Sequence, residues 1–272
     1  MKLSLSAVST VDASFEDDVR AYAAAGFDAI GLWEIKLPGD DEANLALLRE
    51  HGLEVSNCVP TIPSFLQLGV PGLEGPSDPE ERLDAICVSI ARLAVYDPDC
   101  VLVLSGPAGP RSDDEARSLV RDGLRRAATA ARNAGVTLGL EPIHPGQRDH
   151  AGFVCSLADA LALLDEAGLH DVGIMADTYN LAREAPADVV GIVHRLTGLH
   201  VAEVPADGDT SGTRVLPGEG DGSGTALVRV LRDAGWNGTL DVEIFSTQEG
   251  FWSLPVDEAA RRAYAAASKL LH

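Results

Sequence analysis

Four side chains with metal-binding chemistry stand at matching places in the second half of the chain. They are Glu141 after the apolar run VTLGL, Asp177 after VGIMA, His200 within LHVAE and Glu243 within TLDVEIF. If each run is a strand of a parallel barrel, all four stand at or near strand ends that converge on one axis. Three carboxylates and an imidazole in a low-dielectric mouth repel one another unless a cation neutralises them. Mixed oxygen and nitrogen donors of that kind suit Mn²⁺, Mg²⁺, Co²⁺ or Zn²⁺. Any one of the four alone reads as an ordinary polar residue at a loop edge, but four at equivalent places make a set. A divalent ion held there and chelated by adjacent hydroxyl and carbonyl oxygens would polarise the carbonyl and acidify the neighbouring C–H. The resulting enediolate could be reprotonated, which is isomerisation or epimerisation, or could expel a β-hydroxyl, which is elimination.

The elements that must position these groups are legible from punctuation. Short, near-continuously apolar segments alternate with amphipathic segments of helix length, and Ala-Gly or His-Gly repeatedly marks the junction, where glycine suits the position just past a helix. The junction recurs in AAAGFDAIGL (23–32), EHGLEVSN (50–57), NAGVTLGLEP (133–142), EAGLHDVGIMAD (166–177), LTGLHVAE (196–203) and DAGWNGTLDVEIF (233–245). With LSLSAV (3–8) and CVLVLSG (100–106) the strands number eight. Continuous apolarity fits strands buried on both faces of a parallel sheet. Helices are expected at 14–25, 41–51, 79–95, 113–134, 157–167, 186–195, 223–234 and 256–270. Eight strand-helix units in 272 residues predict a single α/β domain, a (β/α)₈ TIM barrel over 1–272. The doubly wound alternative would want a glycine-rich phosphate loop after an early strand, and GxGxxG is absent after the first. Two stretches rich in Pro and Gly, 59–78 and 204–222, follow strands and are expected to wall the mouth as βα loops.

Composition narrows the partners. The formal charge of −21, from 42 acidic against 21 basic residues, opposes binding of nucleic acid. Cysteines at 58, 87, 100 and 155 form no CxxC pair, as expected in a reducing compartment. The N-terminus turns acidic before an apolar stretch of signal-peptide length develops, and no apolar run approaches membrane-spanning length. The expectation is a cytoplasmic protein with no membrane partner.

The motifs EPIHP (141–145), DTYN (177–180), LHVAE (199–203) with RVLPGEGDG (214–222), and DVEIF (241–245) resemble those of the xylose-isomerase-like superfamily of barrels. The resemblance runs nearly end to end and includes AGFDAIGLWEIK near the start. That superfamily holds sugar isomerases, ketose 3-epimerases, hydroxypyruvate isomerases, inosose isomerases and dehydratases. It implies one divalent ion on Glu141, Asp177, His200 and Glu243, with Glu141 and Glu243 as the acid/base pair flanking a carbohydrate or polyol substrate. Arg214 resembles a family arginine that reaches substrate oxygens. The family habit of dimers and tetramers makes a homo-oligomer the expectation.

Further candidates for substrate contact are His144 beside the site, Asn180 in the aspartate motif, Trp33, Glu34 and Lys36 closing strand 2, and Trp252 and Phe65 as pocket walls. Each also has a bland reading as loop packing, a cap or a solvated charge. Two positions depart from the ketose 3-epimerase pattern. Asn180 stands where a histidine is usual, and Gln147 where a second glutamate is. Both changes remove an ionisable group, which keeps a dehydratase or lyase on a keto-sugar or inosose-like polyol beside the isomerase reading. The superfamily's endonuclease branch needs a multi-histidine trinuclear site that seven scattered histidines do not supply. A barrel that binds sugar without turnover is the non-enzymatic alternative.

Overall fold

In the computed structural model the apolar runs become eight short parallel strands: β1 (Lys2–Ser6), β2 (Ala29–Trp33), β3 (Glu54–Val59), β4 (Cys100–Leu104), β5 (Leu138–Glu141), β6 (Gly173–Asp177), β7 (Leu196–Val201) and β8 (Thr239–Val242). Each pairs with the next and β8 pairs with β1, so the sheet closes into a barrel, without an edge strand among the described residues. The helices that follow are α1 (Phe15–Ala25), α2 (Asp41–His51), α3 (Pro79–Leu93), α4 (Asp113–Ala134), α5 (Leu157–Ala167), α6 (Pro186–Gly191), α7 (Ser223–Asp233) and α8 (Val256–Ala267). The fold is the (β/α)₈ barrel. The structure describes residues 1–272 except Pro71, which falls in the 59–78 stretch and lies outside the described residues. Among those described, no helix is long and apolar enough to cross a membrane.

Local chemistry sets where the helices begin and end. Ser14, Asp40, Asp78, Ser112 and Ser156 each cap a helix by accepting from backbone N–H groups of its first turn, and Ser112 with Glu115 forms a reciprocal capping box. Helices α1, α2, α4 and α5 stop on a left-handed glycine, as the junction motifs imply. The junction at β7 works differently. Gly198 is not a helix cap but lies inside β7, where a Cβ would come 2.5 Å from Met175 Sδ in the barrel interior. Helix α6 is also shorter than the expected 186–195. Gly191 weakens the helix at that point, and Arg195 turns to the carbonyls of Leu169 and Val172.

The 59–78 loop is tied to β4. Leu104 N donates to Pro63 O at 2.7 Å, and Phe65 N and Leu66 N donate to Leu104 O and Ser105 O. Gly106, at φ 72°, lets the loop approach this closely, since a Cβ there would sit 2.1 Å from Leu66 O. Arg82 of α3 anchors the loop's far end on the carbonyls of Ser64, Glu74 and Pro76.

Candidate metal centre

Parallel strands around a closed barrel deliver their C-terminal ends to one mouth. Glu141 ends β5, Asp177 ends β6, His200 lies one residue from the end of β7 and Glu243 directly follows β8. All four are buried, and one donor atom from each lies within 4.8 Å of the others, an arrangement that could hold a metal ion. His200 Nδ1 is 3.1 Å from Glu243 Oε2 and 3.8 Å from Glu141 Oε1, yet it makes no hydrogen bond. A buried imidazole nitrogen facing two carboxylates without a hydrogen bond fits a shared cation well. Burial pushes the Glu141 and Asp177 carboxyls above the ordinary range. Burial acts on Glu243 in the same direction, but His200 and Arg214 outweigh it and hold that carboxyl at about 2.

The imidazole is oriented from behind. His200 Nε2 is 3.4 Å from Asp241 Oδ2 and 3.3 Å from Asn57 Oδ1, and Asn57 Nδ2 donates to Asp241 Oδ2 at 2.8 Å. With an ion in the cluster, a proton on Nε2 would satisfy this pair and leave the Nδ1 lone pair for the metal, the arrangement by which carboxylates orient metal-binding histidines. Without one, burial is outweighed by Glu243 and Glu141, which raise the imidazole well above its ordinary range. Asp241 itself is pressed against β2, where a Cβ on Gly31 would lie 2.3 Å from its Oδ2. An Asp241→Asn change should therefore weaken metal binding by roughly 10–100-fold. Titration of the apo protein with Mn²⁺ measures this, and an unchanged affinity would leave Asp241 a packing residue.

Arg214 is buried against the cluster. Its Nη1 lies 2.8 Å from Asp177 Oδ2 and 2.6 Å from Glu243 Oε2, and its guanidinium sits over the rings of Tyr179 and Phe245 at 5.1 and 4.8 Å. The loop that carries it is held by Glu203, whose carboxylate accepts from Gly218 N, Gly220 N, Thr225 N and Thr225 Oγ1. The two glutamates of LHVAE and DVEIF thus do different work: Glu203 fixes the loop, and Glu243 faces the cluster. Above the cluster opens a cavity of about 360 Å³, lined by Glu141, Glu243 and Arg214 but not by Asp177 or His200.

The family model of the xylose isomerase-like TIM barrel matches residues 19–270. The chain belongs to that family. No curated protein sequence matches it. Among solved structures, protein SMc04130 from Sinorhizobium meliloti 1021 is similar at TM-score 0.86 and 22% identity, covering 99% of this chain and 98% of that one. The 3-keto-D-glucoside 4-epimerase YcjR from E. coli, in its apo form, matches at 0.77 and 21%, covering 100% and 99%. The IOLI protein with a bound zinc atom matches at 0.81 and 18%, covering 100% and 98%. At these identities the likeness is one of fold.

Within the xylose isomerase-like barrel the remaining candidates separate. Trp33 and Trp252 line the cavity, as does Gln147. Asn180 lies beneath, where its Nδ2 donates to Glu141 Oε1 at 2.9 Å and to Asp177 Oδ2 at 3.3 Å while its Oδ1 accepts from His144 N. A neutral amide thus bridges two of the clustered carboxylates. His144 is buried, with Nδ1 accepting from Gly146 N and its ring against Tyr179, and is not among the lining residues. Phe65 is turned outward under α4, 2.7 Å from where a Cβ on Gly123 would stand, and does not wall the cavity.

Lys36 does not reach the mouth either. A short 3₁₀ turn, Glu34–Lys36, follows β2 and swings the ammonium away to Ala7 O, Thr10 O and the buried carboxylate of Asp18. Glu34 likewise accepts from Thr61 N and pairs with Arg92. A Lys36→Met change leaves Asp18 buried and unpaired, so it should cost about 3–5 kcal/mol of stability. It should leave metal content and substrate KM at wild-type values. Chemical denaturation and steady-state kinetics read the two effects separately, and a raised KM at unchanged stability would return Lys36 to the site.

Sequence reasoning missed Asp241 and Asn57. A usable signal was present, because Asp241 and Glu243 are two residues apart and side chains on a strand alternate, so both face inward. A carboxylate on the buried face of an apolar strand calls for a partner, and the partner is His200.

Proposed function

We propose that this chain is a divalent-metal-dependent isomerase or epimerase of an α-hydroxy ketone in the sugar or polyol class, with the ion on Glu141, Asp177, His200 and Glu243. The observation that carries the reading is the division within the cluster. The two glutamates face the cavity and can meet a substrate carbon, whereas Asp177 and His200 are shut behind them. A bound divalent ion supplies Lewis-acid polarisation of a chelated carbonyl and lowers the acidity barrier at the adjacent C–H.

The chain's own groups do the rest. Glu141 and Glu243 both line the cavity and are the carboxylates placed to exchange a proton with a substrate carbon. Arg214, 2.6 Å from Glu243 Oε2, places a fixed positive charge where an enediolate oxygen would gather negative charge. The sugar epimerase among the structural neighbours is consistent with this chemistry.

A second reading, dehydration through the same enediolate, is favoured by Gln147 and Asn180, neutral side chains where the ketose 3-epimerase pattern has ionisable ones. Product mass separates the two, since only dehydration loses water. The Mn²⁺-loaded protein, incubated in D₂O with a panel of α-hydroxy ketones and inososes, should exchange deuterium into the carbon beside the carbonyl of at least one. Binding without exchange across the panel would leave a non-catalytic sugar-binding barrel.

A further inference from the structure

The mouth of the barrel is chemically divided. Every ionisable group that lines the cavity among the described residues comes from the β5–β8 side or its loops: Glu141, His150, Arg214 and Glu243. The opposite side is built from β2, β3, β4 and the loop after β3, and it presents Trp33, Val59, Leu68, Leu73, Leu102 and Leu104. The ionisable residues at the end of β2 are withdrawn from this wall, Glu34 to Thr61 and Arg92, and Lys36 to Asp18.

The tryptophans add no free donor. Trp33 Nε1 donates to Ser6 Oγ at 3.1 Å and Trp252 Nε1 to Ile244 O at 3.1 Å, so both present carbon to the cavity. A polyhydroxylated chain laid against such a wall would bury hydroxyls without partners, each at a cost. An apolar body would instead be favoured in proportion to the area it removes from water.

Resting on the metal-centre reading above, we propose that the substrate is an α-hydroxy ketone whose oxygens are confined to the end that meets Glu141, Glu243 and Arg214. The rest of it is an apolar ring or branched carbon body seated against the β2–β4 wall. The enzyme would then act on a hydroxylated ketone of mixed polarity rather than on a free, fully hydroxylated sugar.

Two probes share the α-hydroxy ketone head and differ in body: 2-hydroxyacetophenone, with a phenyl ring, and L-erythrulose, with hydroxyls. Isothermal titration calorimetry of the Mn²⁺-loaded protein should give a Kd at least tenfold lower for 2-hydroxyacetophenone. That preference should shrink severalfold in Leu104→Asn and in Leu73→Asn, the latter at the loop rim and less exposed to a folding failure. Equal affinities, tighter erythrulose binding, no binding of either probe, or a preference unaltered in both folded variants overturns the proposal. The same titrations keep it apart from the metal-centre reading. A protein that takes up Mn²⁺ but shows no preference retires the substrate class alone. One that takes up no metal yet prefers the phenyl ketone tenfold retires the metal centre alone.

Discussion

Replacing Glu243 with Gln is expected to slow metal-dependent hydrogen exchange at the substrate carbon by about 10²–10⁴-fold, the usual contribution of a positioned general base. In barrier height that is roughly 3–5 kcal/mol. The side chain lines the cavity and lies 2.6 Å from Arg214 Nη1 and 3.1 Å from His200 Nδ1. Glutamine keeps the shape and one oxygen donor but cannot accept a proton. The comparison belongs at saturating Mn²⁺, where any loss of metal affinity is compensated by mass action. Exchange undiminished under those conditions would remove Glu243 from the chemistry and leave it a structural carboxylate.

Arg214→Met should have its largest effect on the metal-depleted protein. The guanidinium is a buried cation in contact with Asp177 and Glu243, and removing it leaves carboxylates uncompensated in a buried site. Losing one partner from such an arrangement costs about 3–5 kcal/mol. At roughly 2–4 °C per kcal/mol for a chain of this size, Tm should fall by about 6–20 °C. Adding Mn²⁺ should recover much of the loss, because the ion supplies the charge the arginine no longer does and binds only the folded state. Differential scanning calorimetry with and without metal reads both arms. A variant destabilised equally in both would show that Arg214 acts through its packing on Tyr179 and Phe245 rather than through charge.

How far the sequence carries the argument differs between the backbone and the side chains. The barrel was legible because helix ends of the AAAGF and EHGLE type are fixed by local stereochemistry: a residue just past the helix must turn left-handed, and glycine does so most easily. Gly198 shows where this fails, since the same letters arise when a barrel interior needs room for Met175. The convergence of Glu141, Asp177, His200 and Glu243 was legible because topology alone brings strand ends together. The direction of each side chain beyond a strand end was not. Trp33, the last residue of β2, faces the cavity, while Lys36, three residues on, is carried off by a single 3₁₀ turn. Asn180 read as a substrate contact, but it ties Glu141 to Asp177 instead, a role set by one neighbour in its own motif and one residue of β5, 39 positions away. Phe65 failed in the same way: backbone pairing with β4 decides which way its loop faces.

The proposed chemistry depends on the four strand-end side chains holding a divalent ion. Elemental analysis of wild type, Glu141→Ala and His200→Ala after matched dialysis tests it most directly. Wild type should carry about one divalent ion per chain, as expected for a single set of ligands from four strand ends, and both variants should lose it with the fold intact by circular dichroism. A wild type that takes up no ion after incubation with Mn²⁺, Co²⁺, Mg²⁺ and Zn²⁺, or variants that keep a full complement, would contradict it.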